Sequence, residues 1–464
     1  MKTRRRKHLL IGLVLVAALL MSVAVPREVE AMNASQLTDH INSFDHGGIG
    51  KLHAQQSHNQ VLVTGSVVGA SKTLTLVIDQ GIKVLWKAKY WGTAKTVLKL
   101  ATEASRGTFE VASGGSIKGN NDFTIYNEGD SRCAVIVNGG EIINENQSSG
   151  TALVTGSLLT VSAGRVIATG HNGKAIWCGL PTAMTMTGGV VTTKGSGVNA
   201  AAILLGITCE QSYLHLKGGT IGSPRDAIVV DGSYCSIQVD GATVQSAGAE
   251  IGSAIYLSNA GSHNKVEVSS GTVSAWGTGL CHAICSDSPN TVVDIKVMGH
   301  LSSRGNKGGT VWLRATPSKM TVSGSTRVEN LGAGDAIRSA SEVQINYGQV
   351  SAGTGVAVNA AKAMIDGGFL FAYGTGAGDI VHTSQSYSYK EGAVMCAWNK
   401  PAGSPSYEMD SSQDLSTVAD GRVKWGREGD QSGIAYKYGE KSSTRFFPLA
   451  GVTVKIAVPS KTEP

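Results

Sequence analysis

One short phrase recurs through the middle of the chain and constrains its fold more than any other feature. The phrase is an apolar alternation, then a glycine-containing turn, then a β-branched or apolar residue. Full copies begin at Val137, Val161, Met186, Leu216, Val239, Val268 and Ile365, and altered copies begin at Val111, Val297, Val322 and Ile345. The turns recur about every 25 residues, a period that indicates a repeat architecture.

A second phrase follows most copies and ends in Ala-Ile or an equivalent pair. It occurs at 175–176, 227–228, 254–255, 283–284 and 336–337. Each repeat therefore holds at least two short strands, and the glycines between them supply positive φ at the turns.

Such short strands form no stable sheet alone, so each repeat must stack on its neighbours around a shared apolar interior. The sequence predicts an all-β fold, a right-handed parallel β-helix of about 11–13 coils and on the order of 50 Å long. The first residues of the five consecutive copies from Val137 to Val239 should face that interior. A β-propeller blade needs about 40 residues, and an immunoglobulin-type sandwich would not repeat one turn phrase so often.

The composition agrees with a narrow aliphatic solenoid. Glycine accounts for 60 of 464 residues, while aromatic residues make up 6% and charged residues 16%. Glycine on this scale disfavours a mostly helical protein, and its irregular spacing excludes collagen. Because apolar residues reach 41% and charge is low, the chain is not intrinsically disordered.

The first 31 residues have the features of a secretory signal peptide. Basic residues precede an apolar stretch from Leu9 to Val25, and small residues near Ala31 offer a cleavage site. An uncleaved membrane anchor is the alternative, because the stretch is near the lower spanning limit. No later stretch is long enough to span a bilayer. The segment carries six basic and two acidic side chains, so +2 of the formal net charge of +6 remains on the rest of the chain. This small charge implies no nucleic-acid partner.

Both ends of a solenoid need caps. In the predicted lead-in, 32–59, apolar residues at Leu37, Ile41 and Phe44 have helical spacing, and Asn33 with Gln36 resembles a capping box. The β-helix is predicted over 60–384. Residues 385–464 are enriched in aromatic residues and are predicted to form a small β module with a loose terminus. Those aromatic residues would be its core or a sugar-stacking platform.

These features together resemble the secreted right-handed β-helix surface proteins of Gram-positive, often gut-dwelling, bacteria. The likeness rests on the short helix, the apolar-Gly-Gly coils followed by Ala-Ile, and the stretch from Gly433 to Val454. It implies an extracellular or cell-surface location. The chain has no Leu-Pro-x-Thr-Gly sorting signal, so covalent attachment to a cell wall is not expected.

The seven cysteines complete no zinc pattern, and we predict neither a metal nor a cofactor. Cys281 and Cys285 have CxxxC spacing, but no second cysteine or histidine pair accompanies them. We interpret the cysteines as buried small apolar residues.

The best catalytic candidates are Asp226 and Glu250, with Arg225 beside them. Both acids follow consecutive turns by similar distances, so they could be neighbours as the paired carboxylates of a glycosidase are. The alternative is a solvated corner loop with an ion pair.

A ligand-binding candidate lies near the N-terminal end, where Trp86, Tyr90 and Trp91 could hold sugar rings. Packing under an early loop is the competing explanation.

The leading hypothesis is an extracellular, non-catalytic β-helix that presents a long surface for adhesion. Its partners would be extracellular glycans, host matrix or cell-wall components. The alternatives are a polysaccharide lyase or glycoside hydrolase, and a structural fibre. Fold alone does not choose among them.

Overall fold

The recurring phrase folds into successive coils of a parallel β-helix with about 12 turns, as the sequence predicts. The structure is a computed structural model that describes residues 30–101, 105–127, 132–372, 381–389 and 393–399, together with the short segments 413–414, 445–446 and 453–457. Residues 1–29 of the predicted signal peptide and most of the predicted C-terminal module lie outside the described residues.

One helix and one hairpin open the described chain. Helix α1 spans Ala34–Ser43, and strand β1 spans Ile49–Ser57. Strand β2, Gln60–Ala70, pairs antiparallel with β1 and then parallel with the first coil.

The strands of the coils form three parallel sheets, which are continuous around the corners. In the middle coils one long strand bends at a corner and runs through the first and second sheets. Besides β2, these bent strands are β10 (Ala134–Asn144), β12 (Leu158–Ala168), β14 (Ala183–Thr193), β16 (Tyr213–Ser223), β18 (Ser236–Ser246) and β20 (Lys265–Ala275).

Toward both ends of the solenoid the first and second sheets use separate strands. In the first sheet these are β4 (Lys83–Trp86), β7 (Thr108–Ala112), β22 (Thr291–Ile295) and β25 (Ser318–Val322). In the second sheet they are β5 (Lys89–Gly92), β8 (Ser116–Gly119), β23 (His300–Ser303), β26 (Arg327–Asn330), β28 (Gln349–Ala352), β30 (Gly368–Ala372) and β32 (Ala393–Asn399).

The third sheet is built from short strands, several of which contain the Ala-Ile phrase. They are β3 (Leu74–Leu76), β6 (Thr96–Leu100), β9 (Phe123–Asn127), β11 (Thr151–Thr155), β13 (Lys174–Cys178), β15 (Ala201–Leu205), β17 (Asp226–Val230), β19 (Ile251–Leu257), β21 (Leu280–Ser286) and β24 (Gly309–Leu313).

In the last coils, bent strands join the third sheet to the first. They are β27 (Asp335–Ile345), β29 (Val358–Ile365) and β31 (Val381–Tyr389). Three short strands follow: β33 (Gln413–Asp414) pairs with β34 (Arg445–Phe446), and β35 (Thr453–Ala457) pairs antiparallel with β32.

The corner between the first and second sheets explains the glycine of the repeated phrase. One residue with positive φ occurs at this corner in coil after coil, and Gly189 is an example with φ of 79°. A Cβ atom at Gly189 would lie 2.8 Å from the carbonyl oxygen of Gly164 in the preceding coil. The corner therefore requires both a left-handed backbone and a close approach between coils, and glycine satisfies both.

The interior is a stack of aliphatic side chains, as predicted. The first residues of the five consecutive copies of the phrase have no exposed surface. They are Val137, Val161, Met186, Leu216 and Val239. The register places them next to one another, one per coil, in the first sheet. Isoleucines 176, 203, 228, 255 and 284 form an equivalent buried ladder in the third sheet.

Helix α1 covers the N-terminal end of this interior and confirms the predicted cap. Asn33 and Gln36 form the expected capping box, with each side chain accepting a hydrogen bond from the other residue's backbone N–H. Leu37 and Ile41 are buried in the common core, and Phe44 packs against it.

Candidate functional site

A row of outward-facing side chains runs along the third sheet. Each member follows the buried isoleucine, leucine or valine at the centre of its strand, so the period-two alternation points it away from the core. The strand register joins these residues into a continuous row: Tyr126, Val154, Trp177, Leu204, Val229, Tyr256, Cys285 and Trp312. We call this set the outer row.

The outer row is apolar along its length and carries four large rings, while its members Val154 and Cys285 are buried. Tyr126, Trp177, Tyr256 and Trp312 are all half-buried, so part of each ring is open to solvent. Neighbouring strands lie about 4.8 Å apart, which separates Tyr256 from Trp312 by about 10 Å, a spacing of two coils. Outward rings spaced two or three coils apart form a surface suited to an extended ligand that lies along the axis of the solenoid.

Trp312 carries the densest set of contacts in the row. The guanidinium of Arg314 lies 4.7 Å from its ring centroid, and that of Arg338 lies 5.5 Å away. Arg338 is the register partner of Trp312 on the next strand, so it continues the outer row with a positive charge. The ring of His282 packs edge-on against the indole, with centroids 5.2 Å apart.

Arg314 is fixed by two neighbours from the preceding coil. Its Nε donates to Asp287 Oδ1 at 2.7 Å, and its Nη2 donates to Cys285 Sγ at 3.2 Å. The hydroxyl of Tyr256 donates to the other oxygen of Asp287 at 2.8 Å. Burial raises the pKa of Cys285 to about 12, so the thiol is neutral and acts as an uncharged acceptor. This network holds Arg314 over Trp312.

His282 is a neutral, buried support for the same ring. Its Nδ1 lies 2.7 Å from the carbonyl oxygen of Gly309, so this nitrogen carries the proton and donates it. Burial lowers the pKa of His282 to about 4. At neutral pH the imidazole therefore positions Trp312 without adding charge.

A second indole with a stacked guanidinium lies on the loop before the third sheet. Trp276 is 44% exposed, and the guanidinium of Arg304 sits 5.1 Å from its ring centroid. Lys307 is exposed on the same loop as Arg304. Across the part of the chain that the structure describes, no carboxylate pairs with Arg304, Lys307 or Arg338. These coils thus present two tryptophans among uncompensated positive charges.

The predicted catalytic carboxylates lie on adjacent coils but out of register with each other. Asp226 Oδ1 accepts a hydrogen bond from the backbone N–H of Ser253 at 2.7 Å, and Oδ2 accepts one from Arg225 Nε at 3.3 Å. The register therefore places Ser253 beside Asp226, while Glu250 lies three residues earlier on an exposed turn. The structure brings Arg225 and Asp226 together, and it commits both oxygens of Asp226 to hydrogen bonds within the protein.

Asp335 repeats this arrangement and shows what the carboxylate does. Both acids begin an Asp-Ala-Ile phrase, and Asp335 Oδ1 accepts from the backbone N–H of Val356 at 2.9 Å. Its second oxygen accepts from Asn359 Nδ2 at 2.9 Å. In each case the aspartate satisfies a backbone donor of the next coil. The shared phrase is explained by this structural hydrogen bond, and burial raises the pKa of Asp226 without giving it a free oxygen for proton transfer.

The predicted sugar platform at the N-terminal end is wrong for two of its three rings. Trp86 has no exposed surface and Tyr90 is 1% exposed. Trp86 packs against Tyr90 and Phe109, with centroids 5.7 and 5.9 Å apart, and its Nε1 donates to the carbonyl of Ala88 at 3.0 Å. These rings lie in the core of the first coils, among buried aliphatic side chains such as Val84. Trp91 is half-buried, and its Nε1 is buried without a partner in the described structure.

The cysteines whose side chains the structure describes behave as predicted. All of them are buried: Cys133, Cys178, Cys209, Cys235, Cys281 and Cys285. Burial raises the pKa of Cys209 and of Cys235 to about 11, so these thiols are unreactive at neutral pH. The side chain of Cys396 lies outside the described residues.

The sequence reasoning missed the outer row, although a signal was present. Four aromatic residues occur directly after the buried β-branched residue of the third-sheet strand, as in Ile125-Tyr126, Ile176-Trp177, Ile255-Tyr256 and Val311-Trp312. Aligning the repeats on the Ala-Ile phrase would have placed these rings in one column.

Comparison of the chain with protein families, curated proteins and solved structures gave no match. Within the described ranges, no set of three or more His, Cys, Asp and Glu side chains is arranged to hold a metal ion. Of the helices in those ranges, none has the length and apolar character needed to cross a bilayer.

Proposed function

We propose that this protein is an extracellular, non-catalytic β-helix that binds polysaccharide chains along the outer row. The observation that carries this proposal is the alignment of four half-buried rings on one sheet, with Trp312 held in place by Arg314 and His282. The apolar face of a pyranose ring packs well on an indole or phenol ring, and a rigid solenoid keeps such rings at fixed intervals.

Two further features support the proposal. A basic start and the apolar stretch Leu9–Val25 suit export from the cell. The preorganised network of Tyr256, Asp287 and Arg314 reduces the entropy that a ligand must remove on binding.

The proposal is tested by binding of the purified mature chain to a panel of soluble plant, bacterial and host polysaccharides, measured by affinity electrophoresis and calorimetry. We expect Trp312→Ala to raise the Kd at least tenfold for any polymer that binds. Tyr347→Ala removes an exposed ring (59% exposed) at the corner before the second sheet and serves as the matched control. Loss of affinity in both variants, or in neither, would contradict the proposed site.

The same incubations test the alternative of a lyase or hydrolase. Unsaturated products or new reducing ends would identify an enzyme. The pairing of Asp226 with Ser253 and Arg225 argues against one at that position. Product formation that Asp226→Asn abolishes would therefore overturn the non-catalytic assignment.

A further inference from the structure

We infer that the ligand is an acidic polysaccharide, and that its carboxylate or sulfate groups bind at the positively charged end of the outer row. This inference rests on the proposed function and specifies the ligand class. It concerns the coils between Trp276 and Arg338, which we call the cationic end of the row.

The cationic end of the row carries positive charge that the described chain does not neutralise. Arg304, Lys307 and Arg338 are all exposed, and none of them pairs with a carboxylate of the described chain. Two acids within these coils are already engaged: Asp287 binds Arg314 and Tyr256, while Asp335 is buried and binds the next coil. The positive charges are therefore free to meet an external anion, whereas most other exposed cations of the first sheet have acidic partners, as Lys265 and Lys319 do.

Arg304 lies against Trp276 and Arg338 against Trp312, so each cation is held beside a ring. A guanidinium stacked on an indole keeps its N–H edge available, and that edge matches the two oxygens of a carboxylate or sulfate. A sugar ring on the indole would place an attached acidic group within reach of that edge. Neutral sugars would use the rings alone.

Arg314 has a structural role, unlike the two arginines that we expect to bind the ligand. It stacks on the same indole as Arg338, but Asp287 and Cys285 occupy its donors. We therefore expect Arg314 to position Trp312, and Arg304 and Arg338 to contact the anion.

The experiment compares polymers that differ in charge. Kd values are measured for a uronan (sodium alginate), a sulfated polymer (dextran sulfate), neutral dextran and duplex DNA, with wild type, Trp312→Ala, Arg304→Ala/Arg338→Ala and Arg165→Ala. The control variant is Arg165→Ala, which removes a positive charge from the second sheet. There Arg165 Nη1 lies 3.8 Å from Glu141 Oε1. Circular dichroism of each variant checks that the fold is retained.

We expect an acidic polysaccharide to bind more tightly than dextran, and the double variant to lose about tenfold in affinity for each guanidinium. Arg165→Ala should leave the Kd unchanged. Preference for alginate assigns the contact to carboxylates, and preference for dextran sulfate assigns it to sulfate esters.

Three results would decide against the inference. Equal affinity for neutral and acidic polysaccharides, unchanged in the double variant, overturns it and leaves the proposed function standing. Tighter binding of DNA than of any polysaccharide, insensitive to Trp312→Ala, shows that charge alone is recognised and overturns it too. Absence of binding to every polymer overturns the proposed function and the inference together.

Discussion

The side-chain amide of Asn42 forms two hydrogen bonds with the backbone of Ala54, one in each direction. Its Nδ2 donates to the carbonyl of Ala54 at 2.9 Å, and the N–H of Ala54 donates to Oδ1 at 2.8 Å. Helix α1 thereby satisfies backbone groups at the outer edge of β1, which would otherwise be open to pairing with another strand.

We expect Asn42→Ala to destabilise the protein by about 1–2 kcal/mol, because the two hydrogen bonds between Asn42 and Ala54 are lost. Asn42→Asp should also destabilise it, since a carboxylate accepts from the N–H but repels the carbonyl. The measurement is the urea unfolding midpoint. Gln55, an exposed amide on the same strand, provides the control variant Gln55→Ala, which should change the free energy of unfolding by less than about 0.5 kcal/mol.

Val297 occupies a corner position where neighbouring coils have glycine. Its φ is 63°, a left-handed conformation that a β-branched residue rarely adopts, and the equivalent residue of the next coil is Gly324 with φ of 72°. We expect Val297→Gly to stabilise the protein by about 1 kcal/mol. The substitution relieves the strain of the left-handed backbone, and the greater conformational entropy of glycine in the unfolded chain offsets part of that gain.

The reciprocal substitution checks the explanation. A Cβ atom at Gly324 would lie 2.6 Å from the backbone nitrogen of Val297, so Gly324→Ala should lower the thermal midpoint. An unchanged midpoint in both variants would show that the corner tolerates either residue.

The structural role of Asp226 predicts a distinct pattern of substitutions. Asp226→Ala leaves the backbone N–H of Ser253 without its acceptor and should cost about 2 kcal/mol. Asp226→Asn keeps an oxygen acceptor and removes a buried charge, so its free energy of unfolding should stay within about 1 kcal/mol of wild type. Chemical denaturation distinguishes the two. Equal destabilisation by both changes would mean that the charge, and not the acceptor, holds the coil.

His282 predicts that the protein loses stability in acid. Folding lowers the pKa of His282 from 6.5 to about 4. Between pH 6.5 and about 4, His282 is therefore protonated in the unfolded chain and neutral in the folded protein. Stability should therefore fall as pH drops from about 6.5 to 4, by up to roughly 3 kcal/mol from this group.

The measurement is the urea midpoint of wild type and His282→Gln at several pH values. Glutamine does not titrate, so its profile should be flatter over that range, whatever its stability at neutral pH. Other acids, such as Glu329 with its lowered pKa, are common to both proteins and cancel in the difference. Parallel profiles would show that His282 does not contribute.

The ladder positions were predictable from the sequence, whereas the contacts that the rings of the candidate site make were not. Val137 and Val161 belong to one repeated phrase, and stacking identical phrases leaves a single arrangement that buries their side chains. Trp86 and Trp312 look alike in the sequence, since each follows an apolar residue in a short strand. Only the bend of each coil decides that Trp86 faces inward and Trp312 outward.

The sequence alone determined the parallel β-helix, its period and its N-terminal cap, because these depend on local alternation, glycine turns and capping residues that repeat along the chain. The tertiary structure decided which residues of different coils become neighbours, as with Asp226 and Ser253 or Trp312 and Arg338. Insertions of varying length at the corners shift the register from one coil to the next. Counting residues from one turn to the next therefore cannot fix these contacts, and the hydrogen-bonded pairing of the strands does.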